Sequence, residues 1–277
     1  MGSFFRVFSF MGQVLAMIRQ NPRLLTPVIL NIAIATPVNI VLAIASLFVP
    51  AEYSSLLGNA FMIVALTTLY FIDYFCAGLN TSMIFDQVTT NNATIGGAFS
   101  RTLRSTIGIL IFAIISGLFD LLAHIASQQR GFVRQILIGI LRSLWTTATY
   151  VVMPAMVIEG VSFFDAFKRS KQLMENDPTQ VGVGIVGMGL VTWILSAVTS
   201  VLAFGAYNTL APINVALGLA ASLFFTNCFW SLTAYLKSTY YTCFYLWSRE
   251  CEKNNAANPA WAPAPLRNVL PANLATA

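Results

Sequence analysis

Four ionisable residues of this 277-residue chain stand where charge is costly. Asp120 and His124 lie four apart in one apolar run, so a helix puts both on one face. Arg134 and Arg142 stand in the next apolar run. A carboxylate, an imidazole and two guanidiniums within reach of one another could relay protons, bind a solute or neutralise each other. A charge inside a bilayer costs about 2.5–3.5 kcal/mol on insertion scales, so each of these groups needs a partner or a purpose. Folding residues 105–157 as a hairpin about residue 129 brings Asp120 level with position 138, between the two arginines. At ~1.5 Å per residue, Asp120 lies roughly 13–14 Å from that turn. An Asp120–Arg134 or Asp120–Arg142 pair is therefore within reach. One reading has the charges pin the register of the hairpin; the other has them line a polar pathway or substrate pocket. The residues alone favour the first. His124, a lone histidine near a helix end, reads as interfacial.

Asp73 and Lys237 form a second candidate pair. Lys237 can also snorkel to the head groups, and that reading is favoured. Glu159 follows Pro154 at the end of an apolar run, where proline frees a carbonyl and permits a kink. Its expected roles are to cap the next helix, to pair with Lys168 or Arg169, or to bind a ligand.

Other chemistry finds little support. The stretch Gly182-Val-Gly184-Ile-Val-Gly187 has the form of a dinucleotide fingerprint, which needs a preceding strand and an acidic residue about 20 positions on. Asp177-Pro178 precedes it, LVTWILSAVTSVLAF follows, and Tyr207 stands twenty beyond Gly187. Gly182, Gly189, Ser196 and Ala203 instead recur every seven positions, as a stripe of small residues for helix packing does. Zinc proteases need H-E-x-x-H, and the chain has one histidine. There is no G-x-S-x-G, and Asp73 and Asp120 sit in no acid-pair motif. Cys76, Cys228, Cys243 and Cys251 lack metal spacing. The expectation is a protein that is not an enzyme and holds no cofactor or metal.

The elements that position these residues follow from composition. The chain is 57% hydrophobic and 9% charged, with mean hydropathy +0.74, whereas a soluble domain carries about 25% charged residues. This is the composition of a polytopic membrane protein. The net charge of +5 then reads as the positive bias of membrane loops, not as a nucleic-acid surface. Residues 3–20 carry Arg6, Ser9, Gln13 and Gln20 as a thin polar stripe, which predicts a helix lying in the membrane interface. Apolar runs long enough to cross occupy about 24–49, 56–84, 105–127, 133–157, 181–204 and 213–246. The expected fold is an all-α transmembrane bundle of six spans (residues 23–250). The interfacial helix (1–22) precedes it, and a Pro-rich tail (251–277), expected to be disordered, follows. Arg6, Arg19, Arg23, Arg101, Arg104, Lys168, Arg169, Lys171, Arg249, Lys253 and Arg267 fall on one side of this topology. The positive-inside rule puts that side, with both termini, in the cytoplasm.

MIFDQV (83–88) followed by AFSR (98–101) echoes MVIEGV (156–161) followed by AFKR (166–169). Each copy reads as span, acidic residue, short amphipathic helix, span, with Ser162 and Asp165 forming a capping box in the second.

Three stretches, FFRVFSFMGQVLAMIRQNPRLLTPVIL (4–30), TATYVVMPAMVIEGVSFFDAFKRSKQLM (147–174) and LKSTYYTCFYLWSRE (236–250), carry a resemblance. They resemble a group of bacterial and archaeal polytopic membrane proteins described only as a domain of unknown function. The middle stretch is similar to the group's signature through Pro154, Glu159, Ala166, Arg169 and Ser170. Asn176-Asp177-Pro178 departs from the basic-aromatic-Gly sequence usual there. The resemblance implies fold and membrane location and supplies no reaction. The expected activity is transport, or handling of lipid or a small solute, through the intramembrane polar cluster. The alternative is an accessory protein that organises lipids or membrane partners. The expected partners are the lipid bilayer, other proteins or further copies of the chain.

Overall fold

The computed structural model describes residues 2–46, 56–127, 145, 151–176, 178–254, 256, 258–267 and 270, which contain helices and no strand. Helix α1 (Gly2–Gln20) ends at Asn21, whose side chain caps the 3-10 turn Pro22–Leu25 by accepting from the Arg23 N–H. Then follow α2 (Thr26–Ser46), α3 (Leu56–Thr90), α4 (Ile95–Arg104) and α5 (Thr106–Ser127). Beyond Trp145 come α6 (Val152–Glu159), α7 (Phe163–Asn176), α8 (Pro178–Leu210) and α9 (Val215–Asn254). The chain closes on a 3-10 turn (Pro259–Trp261) and a short α10 (Ala264–Arg267).

Five helical stretches among the described residues are long and apolar enough to cross a membrane: Pro22–Ser46, Gly58–Thr90, Thr106–Ile125, Thr192–Leu210 and Val215–Asn254. Of the expected span 133–157, only Trp145 and residues 151–157 are described, so most of that span, with Arg134 and Arg142, lies outside the described residues. The crossing helices expose Ile29, Val41, Val64, Ile107, Leu122, Val201 and Phe204. Large apolar side chains facing outward in such numbers suit lipid and not water. The protein is an all-α membrane protein. Helix α9 has 40 residues, about 60 Å at ~1.5 Å per residue. It outruns a hydrocarbon core of roughly 30 Å, and its last turns stand beyond it.

The basic segments gather at one end of the bundle. Asn21 Nδ2 donates to Gln87 Oε1 at 3.0 Å, which ties the chain before α2 to the end of α3. Arg101 on α4 meets Asp86 at 3.0 Å. Arg169 on α7 reaches Glu252 at the end of α9. Both repeat copies turn here through a left-handed residue, Asn91 (φ 53) and Gly160 (φ 69). At Gly160 a side chain would be strained. Ser162 Oγ accepts from the Asp165 N–H at 3.3 Å and donates to Asp165 Oδ2 at 2.6 Å, so the box closes through the hydroxyl. At the opposite end, α8 and α9 join through residues 211–214. A Cβ on Gly218 would lie 2.9 Å from Ala211 N, so only glycine lets this turn close.

Three expectations are corrected. The stripe Gly182, Gly189, Ser196 and Ala203 is not a seam inside the described chain. Gly189 and Ser196 are exposed, Gly189 has open space about it, and Ala203 alone is buried; the surroundings of Gly182 lie outside the description. Close glycine contacts between spans and their neighbouring helices are found on α3 and α5 instead. A Cβ on Gly78 would meet Thr102 Cγ2, and one on Gly117 would meet Thr67 Oγ1, each at 3.0 Å.

The second correction concerns α1. One face packs on protein, with Phe10 and Val14 buried and Phe10 edge-on to Tyr240 at 5.4 Å. Phe8 and Leu15 face outward, so only that side is left for an interface.

The third concerns the tail. Residues 258–267 pack back on α1 and α9, and Ala262, Pro265 and Leu266 are buried. The cause is Trp247. Its ring is fully buried and its indole N–H needs an acceptor, which Asn258 O supplies at 2.9 Å. Once that bond fixes the turn, Leu266 lies against the core. Leu266→Ala is expected to cost about 2–5 kcal/mol, as other buried leucines do. Thermal unfolding in detergent should show a clear drop in melting temperature; an unchanged value would mean that the tail does not hold α1 in place.

Candidate functional site

Helical spacing sets the walls of a cavity among the spans. Helix α3 contributes Tyr70, Asp73, Tyr74 and Ala77, at i, i+3, i+4 and i+7. Helix α9 contributes Trp230, Thr233, Ala234, Lys237 and Ser238 in the same pattern. Helix α5 adds Phe112, Ser116, Phe119 and Asp120, and Trp145, Met153 and Pro154 close a further side. The cavity has a volume of about 510 Å³, within the range of small-molecule sites. Asp120 lies five residues, ~7–8 Å along the axis, before the end of the apolar stretch Thr106–Ile125.

Asp73, Asp120 and Lys237, expected from the sequence in two separate pairs, all line this cavity, while Arg134 and Arg142 lie outside the described residues. Asp120 accepts from the Tyr70 hydroxyl. Asp73 accepts from Asn31 Nδ2 at 2.8 Å on one oxygen and from Trp230 Nε1 at 2.7 Å on the other. His124, one turn past Asp120, is exposed and outside the wall. Pro154 falls in the first turn of α6, where no backbone donor is lost, and its ring lines the cavity. The remaining surface is aromatic. Tyr74 stacks on Phe112 at 4.2 Å, and Phe119 on Trp145 at 5.5 Å. Ser116 accepts from Tyr74 at 2.9 Å and from Trp145 at 3.4 Å.

Behind the cavity, polar side chains join the spans. Ser231 donates to Asn31 Oδ1 at 2.8 Å, Asn39 to Asn227 at 3.1 Å and Asn227 to Thr36 at 3.2 Å. These bonds connect α2 to α9. Between α3 and α9, Asn80 Nδ2 donates to Tyr235 O and Thr239 Oγ1, both at 3.1 Å. Ser238 and Thr81 are 3.2 Å apart, and Thr242 donates to Thr81 at 3.2 Å. Asn31, Tyr70, Ser116 and Trp230 were not among the residues singled out from sequence. The signal that points to them is an amide or hydroxyl inside an apolar run, which in lipid must find a partner.

Glu159 lies apart from the cavity, at the basic end, and accepts from the Tyr245 hydroxyl. The expected Glu159–Arg169 pair gives way to Arg169–Glu252, in which Nη1 lies 2.8 Å from Oε1 and Nη2 bonds the second oxygen. The bond to Glu252 raises the Arg169 pKa above its ordinary value, with Tyr245 and Glu159 adding to the effect. In the first repeat copy the acid and arginine do meet. Arg101 bonds Asp86 and also donates to Ser82 Oγ at 2.7 Å.

The arrangement supplies carboxylate acceptors, an ammonium and aromatic faces around one cavity. It suits a ligand with an apolar body and a polar or charged head.

Residues 59–252 match a family described as "Family of unknown function (DUF6159)". Of the three stretches that carry the resemblance, 147–174 and 236–250 lie inside the match and 4–30 lies before it. No curated protein and no solved structure matches the chain.

Asn31 holds both Asp73 and Ser231, so Asn31→Leu should strand two polar groups, one of them a carboxylate. The expected loss is on the order of 1–2 kcal/mol. It should exceed that of Asn39→Leu, which strands one amide. Thermal unfolding of both variants in detergent makes the comparison, and equal losses would show that Asp73 does not depend on Asn31.

Proposed function

We propose that the chain, which belongs to the DUF6159 family of unknown function, binds a small amphiphilic solute within the membrane and carries it across. The observation behind this reading is the cavity itself, lined by Asp73, Asp120 and Lys237 from three apolar helices. In this scheme Tyr74, Phe112, Phe119 and Trp145 take up the apolar body. The carboxylates hold a cationic head, with a contribution from the π faces. Tyr70 keeps the Asp120 carboxylate turned into the cavity. Lys237 offsets part of the negative charge and lowers the cost of the site when it is empty. No bond is made or broken, so the protein acts as a carrier and not as an enzyme. The basic end, with both termini, is assigned to the cytoplasm by the positive-inside rule.

Trp145 and Trp230 both line the cavity, so their fluorescence reports on occupancy. Tetraphenylphosphonium, an apolar-bodied cation, should quench it saturably in the protein reconstituted in vesicles. Asp120→Asn should weaken binding about tenfold, the equivalent of ~1.4 kcal/mol, and slow uptake while the circular dichroism stays unchanged. Unaltered affinity and uptake in that variant would count against the reading.

A second reading, an accessory protein that organises lipid, rests on α4. Its inner face, Ala98 and Thr102, is buried, while Ile95, Phe99 and Leu103 are exposed by 43% to 49% in one stripe beside Arg104. That is the make-up of a helix lying in an anionic interface. Phe99→Trp places a reporter there. In vesicles with anionic lipid, brominated acyl chains should quench it; indifference to brominated lipid would remove this reading.

A further inference from the structure

One face of α9 carries Leu219, Leu223, Thr226, Trp230, Ala234 and Lys237, at spacings of three and four. Its surroundings change along its length. Ala234 and Lys237 line the cavity, whereas Leu219 and Thr226 are exposed on the outside of the bundle. Trp230 belongs to both parts: it lines the cavity and is still 56% exposed. Its indole N–H donates to Asp73 Oδ2 at 2.7 Å, so the ring reaches from α9 to α3 between the cavity and the outside. Asp73 stands one residue from the midpoint of the apolar stretch Gly58–Thr90, and the bond holds Trp230 at that depth. The Asp86–Arg101 pair, which marks the basic end, lies thirteen residues further along α3, ~20 Å away. That is less than a hydrocarbon core of roughly 30 Å, so the outer surface at Trp230 faces lipid. The stripe leading to it asks for no water. Leu219 and Leu223 are apolar, and Thr226 returns its hydroxyl to Ser222 O at 2.9 Å.

We propose that the cavity takes its ligand from the lipid phase, through a lateral opening at Trp230, so that the solute is an amphiphile already dissolved in the membrane. This rests on the cavity being a binding site and adds where its ligand comes from. Tryptophans of spans gather at the head-group level. One held near the middle of a span needs an acceptor for its N–H, and Asp73 gives it. Entry requires the indole to swing aside, which breaks that bond. The cationic head then takes the place of the N–H on the carboxylate, so Asp73 exchanges one partner for another and is not left bare. Leu219 and Leu223 offer apolar surface to the body of the solute on its way in.

Stopped-flow fluorescence on the full chain in phosphatidylcholine vesicles tests the route, with methyl-, butyl- and hexyltriphenylphosphonium as probes. Each added methylene raises partition into a bilayer roughly fourfold. Association rates referred to the aqueous concentration should climb with partition across the series. Referred to the concentration in the membrane, they should fall on one value. Saturable quenching with equal rates in aqueous terms would overturn lateral entry and leave the cavity as a binding site open to water. Absence of saturable quenching by every probe would remove the binding site and the route with it. Two variants test the place of the opening. Trp230→Phe and Trp230→Ala both lose the bond to Asp73 and differ in bulk, while Trp145 still reports from the cavity wall. Association and dissociation should both be several-fold faster in Trp230→Ala than in Trp230→Phe, at the same Kd. A mere binding contact would act on dissociation, and equal association rates would overturn the assignment to Trp230. If neither variant folds, the partition series in the unaltered protein decides alone.

Discussion

Lipid offers no hydrogen bonds, and the rest of the structure follows from that constraint. Each amide or hydroxyl carried into a span must be answered by another helix, since nothing outside the protein answers it. Helix α9 carries most of these groups, and it carries them in rows. Asn227 and Ser231 turn to α2, while Thr239, Thr242 and Ser238 turn to α3. Packing of apolar side chains alone would leave α9 nearly indifferent to its rotation, because lipid tails are as apolar as leucine. The paired polar groups remove that freedom. They fix which face of α9 meets the seam, and so which face, with Trp230 and Lys237, is left for the cavity.

The basic end solves a different problem, the return of the chain from one span to the next. The two repeat copies use one plan, in which a crossing segment stops at a left-handed residue and an amphipathic helix follows. An arginine of that helix then binds a carboxylate. The copies diverge in the choice of carboxylate. Arg101 takes the acid of its own copy, Asp86. Arg169 takes Glu252 from the end of α9, and Tyr245 of α9 takes Glu159. The second elbow is thereby fastened to α9, the helix that also organises the seam. Exposed ion pairs of this kind add little stability each; their effect is to select one position of α7 among several of similar packing energy.

Fold class and membrane location were legible because they depend on sums over many residues. Apolar runs longer than twenty residues admit few structures, and the described helices α2, α3, α5, α8 and α9 fall on five of the six expected runs. Site residues were legible one at a time but not in their pairing. Asp73, Asp120 and Lys237 were each conspicuous as charges in apolar runs. Their meeting depends on the rotation of α3, α5 and α9, which no single run encodes. The errors have a common cause. The heptad of small residues on α8 and the composition of the tail were each read without their neighbours. Spacing shows that Gly189 and Ser196 share a face but not that the face is covered. The tail looked unable to bury anything because its few apolar residues are scattered. What makes Leu266 buried is an acceptor at Asn258 placed where the Trp247 indole needs one.

Asp73 sits where these two systems touch, and this has a consequence for how a ligand would act. One carboxylate oxygen belongs to the seam through Asn31, and the other faces the cavity side through Trp230. A cation entering the cavity competes with the Trp230 N–H for that second oxygen. Drawing charge towards the ligand weakens the carboxylate as an acceptor for Asn31 as well, because both donors share one delocalised anion. Asn31 in turn holds Ser231, about one turn from Ala234 on the cavity face. On the proposed reading, a ligand would perturb the α2–α9 contact without touching it, through three hydrogen bonds in series. The same chain of bonds makes Asp73 costly to replace by an apolar residue. Doing so strands an amide and an indole together.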